Sequence, residues 1–199
     1  HLSSAGSVEL VRRAKAHGSR VTAEVTPHHL VFSEEDLLTY DTNVKVNPPL
    51  RSPEDRETLR AALADGTIDV VATDHAPHAV EDKEVEFDQA PPGTIGLETA
   101  LAAVLTHLVE PGTMPLARAI EAMSAAPAAI LGAADHGGPI EAGRPANLVV
   151  FDPAAEWTVE PPFASRSRNS AFLGHRLRGR VVHTIYAGEL VVADSKAQR

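Results

Sequence analysis

The sequence contains no cysteine. Disulfides and thiolate metal sites are therefore excluded, and any bound metal must be held by histidine and carboxylate. No apolar stretch approaches the roughly 20 residues that span a bilayer, and no signal-peptide pattern opens the chain, so the cytoplasm is the expected compartment. A long basic run is also lacking. Eighteen Lys and Arg stand against 27 Asp and Glu, a formal net charge of -9. Nucleic acid and anionic membrane are not expected partners for such a chain. A small molecule is, because an acidic protein can still bind an anion at a locally positive site. Aromatic residues make up only 4%, but hydrophobic residues reach 43% and charged residues 23%, ordinary values for a globular protein. A chain of 199 residues can bury roughly 70% of the surface exposed when unfolded. It begins with His rather than Met, which points to a fragment or a processed product.

No internal repeat is visible, but two regions differ in texture. From His1 to about Gly132, strand-like and helix-like runs alternate. From about Gly138 onward, short β-like runs sit between Pro and Gly. Residues 7–17 read as a helix with Leu10, Val11 and Ala14 on one face and Gly18 as the stop. Residues 21–25 follow as a strand, and 44–46 form a second strand candidate. Ser52-Pro53-Glu54-Asp55 is a helix start, with a capping hydroxyl, a proline suited to the first turn and acids at the positive end of the dipole. Residues 68–72 are apolar and β-branched except for Asp69, as in a buried parallel strand. Leu97, Leu101, Val104, Leu105 and Leu108 mark one helix; Leu116, Ile120 and Met123 mark the next. In the tail, 147–151, 157–159, 181–186 and 190–192 look like strands. Alternating strands and helices imply a parallel α/β sheet or barrel. A (β/α)8 barrel takes about 250 residues, so the stretch before the tail fits half of one.

Ten histidines are present, and half fall in three segments: His1; His28 and His29; His75 and His78. Each segment follows, or could follow, a strand, and Asp74 stands at the end of 68–72. In parallel α/β folds those strand ends form the active-site face. A single histidine there is ordinarily a surface or hydrogen-bonded residue; three segments in matched placement point to a shared site. Imidazole and carboxylate suit zinc and related divalent metals, and a carboxylate beside a metal-activated water can take its proton. His17, His107, His136, His175 and His183 lack this context and read as structural or exposed.

His1-Leu2-Ser3-Ser4, Thr26-Pro27-His28-His29, Asn47-Pro48-Pro49-Leu50-Arg51 and Thr73-Asp74-His75-Ala76-Pro77-His78 stand in an order that resembles the dihydroorotase family of the amidohydrolase superfamily. Residues 138–153 and Ser167-Arg168-Asn169-Ser170 are similar to that family's tail segments. The resemblance spans nearly the whole chain but only the C-terminal half of the family's usual length. It implies a metal-dependent (β/α)8 TIM barrel, represented by strands five to eight over residues 1–137, with residues 138–199 belonging to a small β domain. It implies interconversion of N-carbamoyl-L-aspartate and dihydroorotate in pyrimidine synthesis.

By the same resemblance, His1 and His28 are metal ligands after the fifth and sixth strands. Asp74 is both a metal ligand and the catalytic acid/base. Asn47 and His78 bind substrate, His78 near its carboxylate, and the backbone of Pro92 and Gly93 meets the substrate as well. Proline stands at position 92, often aromatic in the family, and it has no N–H to donate. The cofactor implied is a binuclear zinc site. Its further ligands, a His-x-His pair and a bridging carboxylate or modified lysine, belong to the N-terminal half, together with an arginine for the substrate carboxylate. A homodimer and association with aspartate carbamoyltransferase are the partners implied. A hydantoinase or allantoinase of the same scaffold is the neighbouring alternative; a noncatalytic dihydroorotase-like subunit is the alternative from another class.

Overall fold

Serine hydroxyls open the two longest helices. The computed structural model describes residues 1–198. In it, Ser4 Oγ accepts from the Ser7 N–H at 3.3 Å at the start of α1 (Ala5–Ala16). Ser52 Oγ accepts from the Asp55 N–H at 3.2 Å ahead of α3 (Pro53–Ala64), whose first position is the expected proline. Each cap satisfies one of the N–H groups a helix start leaves without a partner. Both helices cross over between parallel lanes of backbone. Leu2 N–H donates to Glu24 O at 2.9 Å. Strand β1 (Glu24–Val25) pairs in parallel with β2 (Val70–Val71), and Ala72 N–H donates to Val25 O at 3.0 Å.

This gives three adjacent lanes, at Leu2, β1 and β2, rather than the four strands expected. The candidate at 44–46 is not a strand. Asp41 Oδ1 accepts from the Asn43 N–H at 2.9 Å and folds Thr42–Val44 into a 3-10 turn. Prolines 48 and 49 then remove two ladder donors. The strand expected over 68–72 is short for a related reason. The Asp69 carboxylate accepts from the Ala23 N–H at 2.7 Å and from Lys15 Nζ at 2.8 Å, so a side chain takes the place of a ladder bond. Val8, Val25, Leu59, Leu63 and Ile68 close the core between helices and lanes.

Between those helices stands the single-turn α2 (Pro27–Val31), and α4 (Val80–Lys83) follows β2. The apolar periodicity at 97–108 becomes α5 (Ala100–Val104), which widens into a π turn at Leu105–Val109. Next, α6 (Leu116–Ile120) runs through a second π turn into α7 (Ala126–Leu131) and stops at Gly132. There φ is 67°, a conformation side chains with a Cβ seldom adopt.

The tail is a four-stranded antiparallel sheet of β3 (Leu148–Thr158), β4 (Arg176–Tyr186), β5 (Glu189–Ala193) and β6 (Lys196–Ala197) in sequential order. The two runs expected at 147–151 and 157–159 are one strand. Its register shifts between Asp152 and Glu156, where Pro153 has no N–H for the ladder, so the chain bulges instead of ending. A second core joins this sheet to the loops above the lanes. Phe32 and Leu50 pack there with Ala103, Phe172 and Leu177, and the rings of Phe32 and Phe172 lie 5.0 Å apart. Among the described residues, no helix is long and apolar enough to cross a membrane.

Candidate active site

The C-terminal ends of the lanes carry His1 and Asp74 to one place. His1 Nε2 lies 3.7 Å from Asp74 Oδ1, with the two side chains 24% and 30% exposed. Glu24, on β1, sets the orientation of the imidazole. Its Oε1 is 2.7 Å from His1 Nδ1. A carboxylate can only accept, so Nδ1 carries a hydrogen, and Nε2 is the ring atom that faces Asp74. A carboxylate behind a histidine in this way is the arrangement that aims a metal ligand. Asp74 itself holds φ at 44°, a left-handed conformation in which Asp and Asn are enriched among residues that carry a Cβ.

His28, expected as the third ligand, makes no ion pair with Asp74 in the way His1 does. Thr26 Oγ1 caps α2 through the His29 N–H, and the single turn so formed carries the His28 ring inward. The residue is 1% exposed and its Nε2 has no partner. Burial lowers its pKa to about 3, so the ring is neutral throughout the physiological range. Among the described residues, no three His, Asp or Glu side chains gather as a metal-binding set. His1 and Asp74 fit two positions on one divalent cation by their chemistry and by facing each other; a four-coordinate site needs two more donors.

His29 has a different task. Its Nε2 lies 2.8 Å from Pro48 O, and its Nδ1 lies 2.7 Å from Thr26 Oγ1. A carbonyl can only accept, so Nε2 carries the hydrogen and Nδ1 accepts from the hydroxyl. The ring thereby ties α2 to the loop that presents Asn47, an exposed residue next to Pro48. His75 also serves structure: Nδ1 faces the N–H of Gly96 at 3.2 Å.

His78 and the segment at Pro92 and Gly93 do come together. His78 Nε2 is 3.2 Å from Pro92 O. The backbone of Gly93, expected to meet a substrate, is engaged within the protein. Its N–H donates to Lys45 O at 2.8 Å, and its carbonyl accepts from Lys83 Nζ at 3.1 Å and Asn169 Nδ2 at 3.2 Å. Lys83 is buried with its ammonium on the Pro91 and Gly93 carbonyls, and burial pushes its pKa down to about 8. A cavity of about 300 Å³ opens beside His78, bordered by Asn43, Lys83, Arg168 and Asn169. Arg168 adds a cation to it. Glu24, His29, Lys83 and Asn169 are the contributors that sequence reasoning did not single out by role. An acid interrupting the apolar run at 21–25 is the available sequence signal for Glu24; His29 and Asn169 stand inside motifs that the sequence singles out without a role for them, and Lys83 carries no signal.

Gly93 is constrained by φ 145° and by space. A Cβ there would lie 2.6 Å from His78 Nε2 and 2.9 Å from the Ala76 Cβ. Gly93→Ala in the full-length protein is therefore expected to move His78 and to cost about 1–3 kcal/mol, from strain and overpacking. Chemical denaturation of the two proteins checks this; equal midpoints and slopes would refute the crowding argument.

The amidohydrolase family model matches residues 1–191. A dihydroorotase of Streptomyces coelicolor is 52% identical over 197 residues, covering 98% of this chain and 46% of that protein. Another, of Leifsonia xyli subsp. xyli, is 52% identical over 195 residues, covering 98% of this chain and 44% of its own length. Among solved structures, the L-hydantoinase of Arthrobacter aurescens superposes with a TM-score of 0.91 at 32% identity, covering 100% of this chain and 45% of that one. The dihydropyrimidinase of Brevibacillus agri gives 0.88 at 25% identity, covering 99% and 44%. The chain thus spans less than half the length of the relatives it matches. Three parallel lanes with crossover helices are part of the TIM barrel these enzymes share, and with the match over residues 1–191 they establish that the chain belongs to the amidohydrolase family.

Proposed function

We propose that the protein containing this chain is a dihydroorotase, opening the ring of (S)-dihydroorotate to N-carbamoyl-L-aspartate and closing it again in pyrimidine synthesis. The observation that carries this reading is the pairing of Asp74 with His1 at the ends of parallel lanes, in a chain about half identical to proteins named dihydroorotase. Residues 1–137 would contribute the later part of the barrel and 138–199 the small β domain. Similarity to hydantoinases at 25–32% identity favours a hydantoin or dihydropyrimidine ring as the second choice of substrate.

Zinc or a similar divalent ion suits the donors, with His1 and Asp74 supplying two of them and the remainder of the protein the others. When bound, such an ion lowers the pKa of water toward ~7 and polarises a carbonyl. The work left to this chain is to hold the substrate and move a proton. A water attacks the ring amide carbonyl carbon, and its proton passes to the Asp74 carboxylate. As the ring C–N bond breaks, Asp74 returns that proton to the departing nitrogen. Asn47 and His78 hold the substrate, His78 pairing with its carboxylate beside the cation of Arg168. Ring opening of dihydroorotate by the purified full-length protein, read against hydantoin and dihydrouracil, tests the assignment. Turnover of either alternative with none of dihydroorotate would replace it.

His78→Ala is expected to raise KM roughly 10- to 100-fold, the effect of losing one hydrogen bond to a charged group. Metal content should stay unchanged, because His78 lies on the loop beyond Asp74 and bonds the Pro92 carbonyl. Steady-state kinetics with metal analysis would show this, and an unaltered KM would remove His78 from the substrate site.

A further inference from the structure

The motif Ser167-Arg168-Asn169-Ser170 lies far in sequence from the residues that carry the chemistry, yet Asn169 is 4% exposed and sits against them. We infer that Asn169 is a positioning residue that sets the substrate-carboxylate subsite by holding His78 against the Pro92–Gly93 segment. The inference rests on the reading of His78 as a substrate-binding group.

Two segments, the loop at 76–78 and Gly93, meet on this one side chain. Its Oδ1 accepts from the His78 N–H at 3.2 Å, and its Nδ2 donates to Ala76 O at 2.9 Å and to Gly93 O at 3.2 Å. The orientation of the amide is forced, since a backbone N–H can only donate and the two carbonyls can only accept. No other side chain of this size offers one acceptor and two donors on a rigid plane. The Asn169 backbone carbonyl accepts from the Ile95 N–H at 2.9 Å and from Thr94 Oγ1 at 3.0 Å. Thr94 Oγ1 accepts in turn from the Ala171 N–H at 2.8 Å. The tail is thus tied along residues 94–95, while the amide reaches across to the loop at 76–78. Gly93 is already too close to His78 to admit a Cβ, so a small shift of either loop moves the ring that is to meet the substrate.

Aspartate is nearly isosteric with asparagine but cannot donate, so Asn169→Asp would set a carboxylate against two carbonyl oxygens. In the full-length enzyme, Asn169→Asp and the milder Asn169→Ser are expected to raise the KM for dihydroorotate about tenfold or more, the effect of a buried polar group left without its partner. Both kcat and metal content should change far less. The double variant His78→Ala/Asn169→Ser should have a KM no higher than His78→Ala alone, because a residue that acts through His78 has nothing left to position. An unchanged KM in Asn169→Asp and Asn169→Ser would overturn the inference, as would KM effects that multiply in the double variant. An unchanged KM in His78→Ala would instead overturn the reading of the subsite, and the inference with it. Thermal unfolding of each variant separates these results from loss of fold.

Discussion

Asp74→Asn in the full-length protein is expected to lose nearly all turnover while keeping its fold. The substitution suits the backbone, since Asp74 sits at φ 44° and asparagine tolerates that left-handed region as well as aspartate does. The side-chain shape is also kept. What changes is that an amide cannot accept the proton of the attacking water. Removing one general acid/base typically costs ~10²–10⁴-fold. The pair with His1 is weakened too, because the anionic oxygen 3.7 Å from Nε2 becomes neutral, so metal content should fall as well. Ring-opening rates, metal analysis and thermal unfolding on one preparation distinguish the two losses. Near-normal turnover of dihydroorotate by Asp74→Asn would remove Asp74 from its proposed role.

Residues 1–199 produced alone are expected to show no ring-opening activity and to aggregate or stay loosely packed. Among the described residues three parallel lanes lie side by side, and the outer lanes offer N–H and C=O groups to other chains. Large apolar side chains face solvent, among them Leu10, Leu38, Leu131 and Ile140, each more than two-thirds exposed, and exposed apolar surface promotes association. The donors add little rescue, since two ligands cannot return the binding energy of a complete metal site. Mixing with the remaining part of the polypeptide should restore a folded, metal-binding, active complex. Size-exclusion chromatography, metal content and activity of the chain alone and mixed would show this. A cooperatively unfolding, active monomer of residues 1–199 would contradict the fold assignment.

The helix start at Ser52 is legible because it is local: Ser52 and Pro53 cap and open α3 as their types dictate. The first helix, expected from Ser7, begins instead at Ala5 behind the Ser4 cap, because several serines close together offer more than one capping hydroxyl. The strand expected at 44–46 does not form: Val44-Lys45-Val46 alternates as a strand would and carries no sign that Asp41 bends the chain just ahead of it. The bulge at Pro153 hid the continuity of β3 in the same way: a residue that ends most strands only kinks this one. At the site, the convergence of His1 with Asp74 follows from strand-end placement, which periodicity exposes. The inward turn of His28 does not, because it depends on a five-residue helix set by a threonine cap and a neighbouring histidine. The motif around Asn169 is visible in the sequence, but its task is not, since its side-chain partners are 76 to 93 residues away.

The second core, where Phe32 and Leu50 pack on Phe172 and Leu177, has a consequence for how the chain tolerates change. Insertions near the end of a polypeptide are ordinarily absorbed at the surface. Here residues 169–172 are buried, with Asn169 bonded to the His78 N–H and Phe172 in one core with Leu50, so lengthening this stretch or removing the sheet that follows would act on the pocket directly. A change in the packing of residues 169–172 is therefore expected to be felt at His78, some 90 residues earlier in the chain.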